Sequence, residues 1–114
     1  MKNFLLIPGF MMYLLSGNCL ANNADFDVVC SYFQSLDTHK GQKAMDHMQR
    51  NNFIFEKLKS LPETSNAKAA WEAVSNAEAN QRYELFKSAT ESVINKTWDC
   101  PAMKKLAPVT GEFK

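Results

Sequence analysis

Two cysteines near opposite ends of the chain, Cys30 and Cys100, constrain the fold more than any other feature of the sequence. Each stands among residues that favour burial, Cys30 between Val29 and Phe33, and Cys100 just after Trp98. If the two are oxidised, the bond closes a loop of about 70 residues and stabilises the fold by roughly 4 kcal/mol. We therefore predict a Cys30–Cys100 disulfide. The alternative, two free buried thiols, requires a reducing compartment.

The first 21 residues have the pattern of a secretory signal peptide. Lys2 gives a positive start, residues 4–15 form an apolar run, and the segment ends on the small residue Ala21. A membrane-spanning helix needs about 20 apolar residues, and this run is shorter and is interrupted by Pro8-Gly9. We predict cleavage after Ala21, export to the periplasm or the medium, and no stable membrane span.

A lipid anchor is the minor alternative for this leader. Ser16-Gly17-Asn18-Cys19 partly matches a bacterial lipoprotein signal, in which a small residue precedes an acylated cysteine. Asn18 stands where the small residue is expected. Acylation at Cys19 would tether the exported chain to a membrane.

The charge balance argues against binding to nucleic acid or to anionic lipid. The sequence carries 13 Lys and Arg against 12 Asp and Glu, and Lys2 leaves with the predicted leader. Apart from the pair Lys104-Lys105, the remaining basic residues are scattered singly, whereas nucleic-acid binding needs a basic cluster.

Helical periodicity runs through the predicted mature chain, residues 22–114. Apolar residues recur at three- and four-residue steps, which is typical of amphipathic helices, and no segment alternates as a half-buried strand does. Two capping-box patterns, Ser60 to Glu63 and Ser75 to Glu78, predict helix starts. We predict a first helix over residues 25–36 and a second over 42–59, with a weak point at Asn51-Asn52. A third helix should run from the first capping box through Val74, unless Thr64-Ser65-Asn66 delays its start, and a fourth over 76–95. The buried stripe of the last of these is predicted to be Tyr83, Phe86, Ala89, Thr90 and Val93.

A short helix should follow, capped by Asp99 or Cys100 with Pro101 in its first turn. Residues 107–114 are expected to form a flexible tail. The sequence therefore predicts a single all-α domain over residues 22–114. This domain is a small four-helix bundle-like structure with a short C-terminal helix, and one disulfide joins its first helix to its C-terminal segment.

The sharpest chemical candidate is a copper site formed by Met45, His47 and Met48, because thioether and imidazole ligands suit Cu(I). Helical spacing argues against this site, since it places both methionines on the core stripe and points His47 away from them. His39 lies too far from His47 along the chain for the two side chains to chelate one copper ion. We expect no metal site and no cofactor.

Catalysis is not indicated either. The sequence offers no paired carboxylates and no marked nucleophile, so we expect no enzyme activity. Cys100 stands at a predicted helix start, but position 103 is Met, so the two-cysteine motif of oxidoreductases is missing. The triplet Asn95-Lys96-Thr97 fits a glycosylation sequon, which matters only in a eukaryotic secretory pathway.

Two functions of different classes remain. The first is a protein-binding module, comparable to periplasmic inhibitors or immunity proteins, with another exported protein as its partner. The alternative is a carrier that holds a small apolar ligand between its helices. The sequence leaves the oligomeric state open. The rings available for a carrier pocket are those of Phe53, Phe55, Trp71, Phe86 and Trp98.

Overall fold

The computed structural model describes residues 15–112, with side chains from residue 24 onward. Within this range the chain is all-helical, which confirms the predicted fold class. Short 3-10 helices occupy Gln42–Ala44, Ala79–Gln81 and Ala107–Val109. The α-helices are α1 (Leu15–Thr38), α2 (His47–Leu58), α3 (Asn66–Val74), α4 (Arg82–Ile94) and α5 (Pro101–Leu106).

Helix α1 is the central element, since it contacts each of the other four α-helices. Its predicted stripe is buried throughout, because these side chains repeat at three- and four-residue steps on one side of the helix. The helix begins inside the predicted leader, and residues 1–14 lie outside the described residues. The leader and its cleavage stay predictions. The buried stripe consists of Phe26, Val29, Cys30, Phe33 and Leu36.

The predicted disulfide is present. Cys30 on α1 is bonded to Cys100, with 5.9 Å between their Cα atoms, and both residues are buried. Cys100 immediately precedes Pro101, the first residue of α5, so the bond fixes the start of that helix against α1. The first and last α-helices are therefore joined covalently as well as by packing.

Helix α2 starts later than the spacing predicts. Asp46 is its N-cap and forms a capping box with Gln49, whose backbone N–H donates to Asp46 Oδ1 over 2.7 Å. The break in the predicted helix thus lies at Met45-Asp46, between the 3-10 helix and α2, and not at Asn51-Asn52. Asn51 lies inside the helix, is buried, and accepts a hydrogen bond from Trp71 Nε1 over 3.1 Å. Because Asn51 has this buried partner, the helix continues through Asn51-Asn52.

Helices α3 and α4 also begin at sites other than the predicted capping boxes. Ser65 caps α3 by accepting a hydrogen bond from Lys68 N, so the delayed start is the correct one. Ser75 donates its hydroxyl back to Glu72 O, which places it at the end of α3, and α4 begins only at Arg82. The prediction of one helix over residues 76–95 was wrong for its first turns.

Residues 107–112, which we name the C-terminal strap, pack against the helices. The amide of Gly111 donates to His47 O over 3.2 Å, and the amide of Glu112 donates to Ser75 O over 3.0 Å. The strap therefore bridges the start of α2 and the end of α3. This packing differs from the flexible tail expected for residues 107–114, of which 113 and 114 lie outside the described part.

None of the helices in residues 15–112 combines the length and the apolar character needed to cross a bilayer.

Candidate interaction surface

The residues of the copper hypothesis do not share one face. Met45 is half-buried in extended backbone before α2 and packs against the core, whereas Met48 is the second residue of the helix and is 36% exposed. The prediction that both methionines lie on the core stripe is therefore confirmed for Met45 and wrong for Met48, because the helix begins between them. His39 is engaged elsewhere, with its ring 5.0 Å from the ring of Phe53. Among residues 24–112, no three or more His, Cys, Asp or Glu side chains are arranged to hold a metal.

The segment around Trp98 and Cys100 is fixed by polar contacts that the sequence did not reveal. Tyr83 on α4 donates its hydroxyl to Asp99 Oδ1 over 2.8 Å and accepts the Cys100 amide over 3.0 Å. Burial raises the pKa of the Tyr83 phenol, so it remains a protonated donor at neutral pH. The indole of Trp98 donates to Asp27 Oδ1 on α1 over 2.9 Å. These bonds hold the segment between α1 and α4.

An ion pair near the end of α4 completes this anchorage. Lys87 Nζ contacts Glu91 and donates to Trp98 O over 2.7 Å, while the Trp98 amide donates to Glu91 Oε2 over 2.9 Å. The hydrogen bond between the two side chains raises the pKa of Lys87 and lowers the pKa of Glu91. Both groups are therefore held in their charged forms. Such an arrangement favours a structural role over proton transfer, which needs a pKa near the working pH.

Both arginines of the chain serve the C-terminal strap, a role that no sequence pattern indicated. Arg50 is 9% exposed, and Arg82 is fully buried. Arg50 Nη1 donates to Val109 O over 3.1 Å. Arg82 Nη1 donates to Ala107 O over 3.2 Å and to Thr110 O over 2.9 Å, and its Nη2 contacts the carbonyl of Glu112. Arginine suits this task because its planar group directs several donors at once.

The rings proposed to line a carrier pocket fall into two groups. Trp71, Phe86 and Trp98 are buried in the core, where the centroid of Phe86 lies 6.3 Å from that of Trp71 and 5.6 Å from that of Trp98. Phe53 and Phe55 lie half-buried on α2 at the edge of the core. The core rings thus pack against each other.

A small open cavity lies at the turn between α1 and α2. Its volume is about 210 Å³, less than the roughly 300 Å³ at which ligand pockets begin. Asp37 on its rim already pairs with Lys105 Nζ over 2.9 Å. This cavity is a weak candidate for a ligand site. Its lining consists of Asp37, His39, Gly41, Gln42 and Lys43.

Two large apolar side chains are exposed on α4. Leu85 is 45% exposed and Val93 is 40% exposed, and the half-buried Ala89 lies between them. Residues four apart lie on the same side of a helix, so the three form a continuous row that we name the α4 stripe. A second row lies one position before each of them, is exposed throughout and is polar. It consists of Glu84, Ser88 and Ser92.

The exposure of the α4 stripe differs from the sequence prediction. The placement of Val93 on the buried stripe was wrong, because α4 ends at Ile94 and the chain turns at Asn95 in a left-handed conformation. Leu85 was not singled out by any sequence pattern. The available signal was spacing, since Leu85 falls outside the buried residues of α4, which are Arg82, Tyr83, Phe86 and Thr90.

No protein-family model matches the chain, and no curated protein or solved structure is significantly similar to it.

Proposed function

We propose that this protein is an exported protein-binding module that contacts its partner through the α4 stripe. The observation that carries the proposal is the exposure of Leu85 and Val93 on one side of a single helix. Single exposed apolar residues are ordinary, but a row of them on one face is a feature of interaction sites. A helix face that presents apolar side chains at four-residue steps is a common mode of recognition.

The anchorage of α4 supports this role. Its first residue, Arg82, is held by carbonyls of the C-terminal strap, and near its other end Glu91 and Lys87 bond to the backbone of Trp98. The helix is therefore fixed at both ends. A rigid surface loses little conformational entropy on binding, so more of the contact energy is available for affinity.

The polar row beside the stripe indicates the chemistry of the partner. Ser88 and Ser92 present exposed hydroxyls, and Glu84 presents the single charge of the row, beside Leu85. A complementary surface would be apolar at its centre, would offer hydrogen-bonding groups along one edge, and would place Lys or Arg opposite Glu84. The location of that partner, outside the cytoplasm, follows from the predicted leader and from the preference of disulfides for oxidising compartments.

Affinity capture with matched surface variants tests the proposal. The parent protein, the double variant Leu85→Ser/Val93→Ser and the control Met48→Ser are each used as bait in the exported fraction of the native source. Met48 is a suitable control because it is an exposed apolar residue on α2, away from the stripe. We expect one partner to be captured by the parent and by Met48→Ser and to be lost with the double variant.

The proposal fails if the same proteins are captured by all three baits at equal yield, provided that all three melt at similar temperatures. Sedimentation of the parent and the double variant shows whether the partner is a second copy of this chain. The carrier hypothesis has less support, because the buried rings contact one another. Native mass spectrometry of freshly purified protein tests it through the presence of a bound adduct.

A further inference from the structure

The C-terminal strap is attached differently from the segment that precedes it. Up to Leu106 the chain is held by the disulfide at Cys100 and by the buried side chains of Met103 and Leu106. Beyond Leu106, the buried side chains of Ala107 and Thr110 are small, and the next residue is a glycine. Within residues 24–112, the buried hydroxyl of Thr110 has no hydrogen-bond partner. The apolar burial of the strap is thus limited to Ala107 in the core and to Val109, which packs half-buried against it.

Polar contacts with two buried cations also hold the strap. Arg50 and Arg82 donate to four of its backbone carbonyls, and two of its amides donate to His47 O and Ser75 O. Burying a guanidinium group carries a large solvation penalty, which opposes the gain from these hydrogen bonds. Opening the strap would return the donors that face it to water and recover part of that penalty, while Arg50 keeps Gln42 Oε1 and Arg82 keeps Ala77 O as partners. The solvation of the two cations thus opposes closure.

From this balance we propose that the C-terminal strap is a latch that opens and closes as a unit while the disulfide-bonded helices stay folded. Arg82 holds the latch shut, because its guanidinium group reaches carbonyls of Ala107, Thr110 and Glu112 at once. Opening uncovers both guanidinium groups together with the ends of α2 and α3 that the strap bridges. The latch concerns the strap and not the side chains of the α4 stripe, but it bears on the proposed function, because the strap carbonyls anchor Arg82, the first residue of α4, only while the latch is closed.

Closure also requires a glycine at position 111. Its φ is +136°, and a Cβ atom there would lie 2.7 Å from Ser75 O and 2.9 Å from Arg82 Nη1. Both atoms belong to the surface on which the strap rests, and the first is backbone. Any side chain at this position should therefore hold the strap open without changing a residue of the helices.

Hydrogen exchange of the native protein at low urea concentrations tests the latch. Opening of the strap alone exposes little surface, so exchange at the amides of Gly111 and Glu112 should be fast and almost independent of urea. Amides in the middle of α1 should exchange slowly, with a strong dependence on urea. If the strap amides show the protection and the urea dependence of the α1 amides, the strap opens only when the whole domain unfolds, and the proposal is wrong.

Two variants identify what holds the latch. Arg82→Lys keeps the charge but loses the planar guanidinium group. We therefore expect the exchange rate at the amides of Gly111 and Glu112 to rise by about tenfold or more, the effect of losing one charge-assisted hydrogen bond.

Gly111→Ala should remove the protection of the Glu112 amide while α1 amides stay protected. Gly41→Ala is its control, since Gly41 also has a positive φ, +88°, but has no atom within 4 Å of the added Cβ. Parent-like exchange in Gly111→Ala overturns the latch even if Arg82→Lys fails to fold.

Discussion

At the scale of single residues, the hydroxyl of Tyr83 joins α4 to the segment that carries Cys100. The spacing of apolar residues predicts a buried Tyr83 on α4, and the residue is buried. Its hydroxyl, however, serves Asp99 and the amide of Cys100, next to the disulfide. A buried amide that loses its acceptor retains its full desolvation penalty.

Replacing this hydroxyl should therefore destabilise the protein. We expect Tyr83→Phe to lower the free energy of unfolding by about 1–3 kcal/mol, because the buried amide of Cys100 loses its acceptor. Urea unfolding followed by circular dichroism measures this difference. Tyr32→Phe is the control, since its hydroxyl meets Ser60 Oγ at an exposed site, and its effect should stay within about 0.5 kcal/mol. Equal effects of the two substitutions would contradict the role assigned to Tyr83.

At the scale of elements, the helix ends show how local signals compete. The pattern of a hydroxyl followed three residues later by Glu occurs at Ser60 and at Ser75, yet neither residue is the N-cap of a helix, and Ser75 is instead the C-cap of α3. Ser60 bonds to Tyr32 and Ser75 to Glu72 O. The capping box that forms in the structure pairs Asp46 with Gln49, which has the same three-residue spacing with other residue types.

Helix α4 offers a test at this scale through Glu91. Hydrogen bonds from Lys87 and the Trp98 amide lower the pKa of Glu91 below the ordinary value of 4.5. A carboxylate whose pKa is lower in the folded state stabilises the fold above its unfolded pKa, and this stabilisation is lost as the pH falls through the folded pKa. We expect the urea midpoint to decrease below about pH 4.5 and Glu91→Gln to reduce that decrease.

The control for this titration is Glu56→Gln. Glu56 pairs with Lys59 on the surface, where both side chains are about 70% exposed, so its contribution should be small. An acid dependence that is unchanged in Glu91→Gln would show that the contact with Lys87 and Trp98 does not stabilise the folded state.

At the scale of the whole molecule, the disulfide closes the domain. It joins α1, which contacts all the other α-helices, to the segment that leads into α5. A domain of this size buries a modest core, so a bond across most of the chain contributes a large share of its stability. The C-terminal strap then adds a non-covalent closure at the start of α2 and the end of α3.

Removing the bond should lower the stability of the entire domain. We expect Cys30→Ser/Cys100→Ser to lose about 2–5 kcal/mol of unfolding free energy and to melt at a much lower temperature. Thermal melts followed by far-UV circular dichroism measure the change, and the parent in reductant should behave like the double variant. Non-reducing peptide mapping checks the pairing directly. A double variant that melts with the oxidised parent would show that the bond does not secure the fold.

The helical class, the buried stripe of α1 and the pairing of Cys30 with Cys100 were all predictable from the sequence. These features follow from periodicity and from the count of cysteines, which do not depend on distant contacts. Asn51 shows where that reasoning stops, because its helical position depends on a hydrogen bond from Trp71, twenty residues away.

The remaining features depend on contacts between distant parts of the chain. Arg50 and Arg82 have the sequence pattern of ordinary surface cations, yet both are buried, because the returning C-terminal strap presents carbonyls to them. The exposure of Val93 likewise depends on where α4 ends and what packs beside it. Side-chain chemistry sets which partners a residue accepts, and the path of the chain sets which partners it meets.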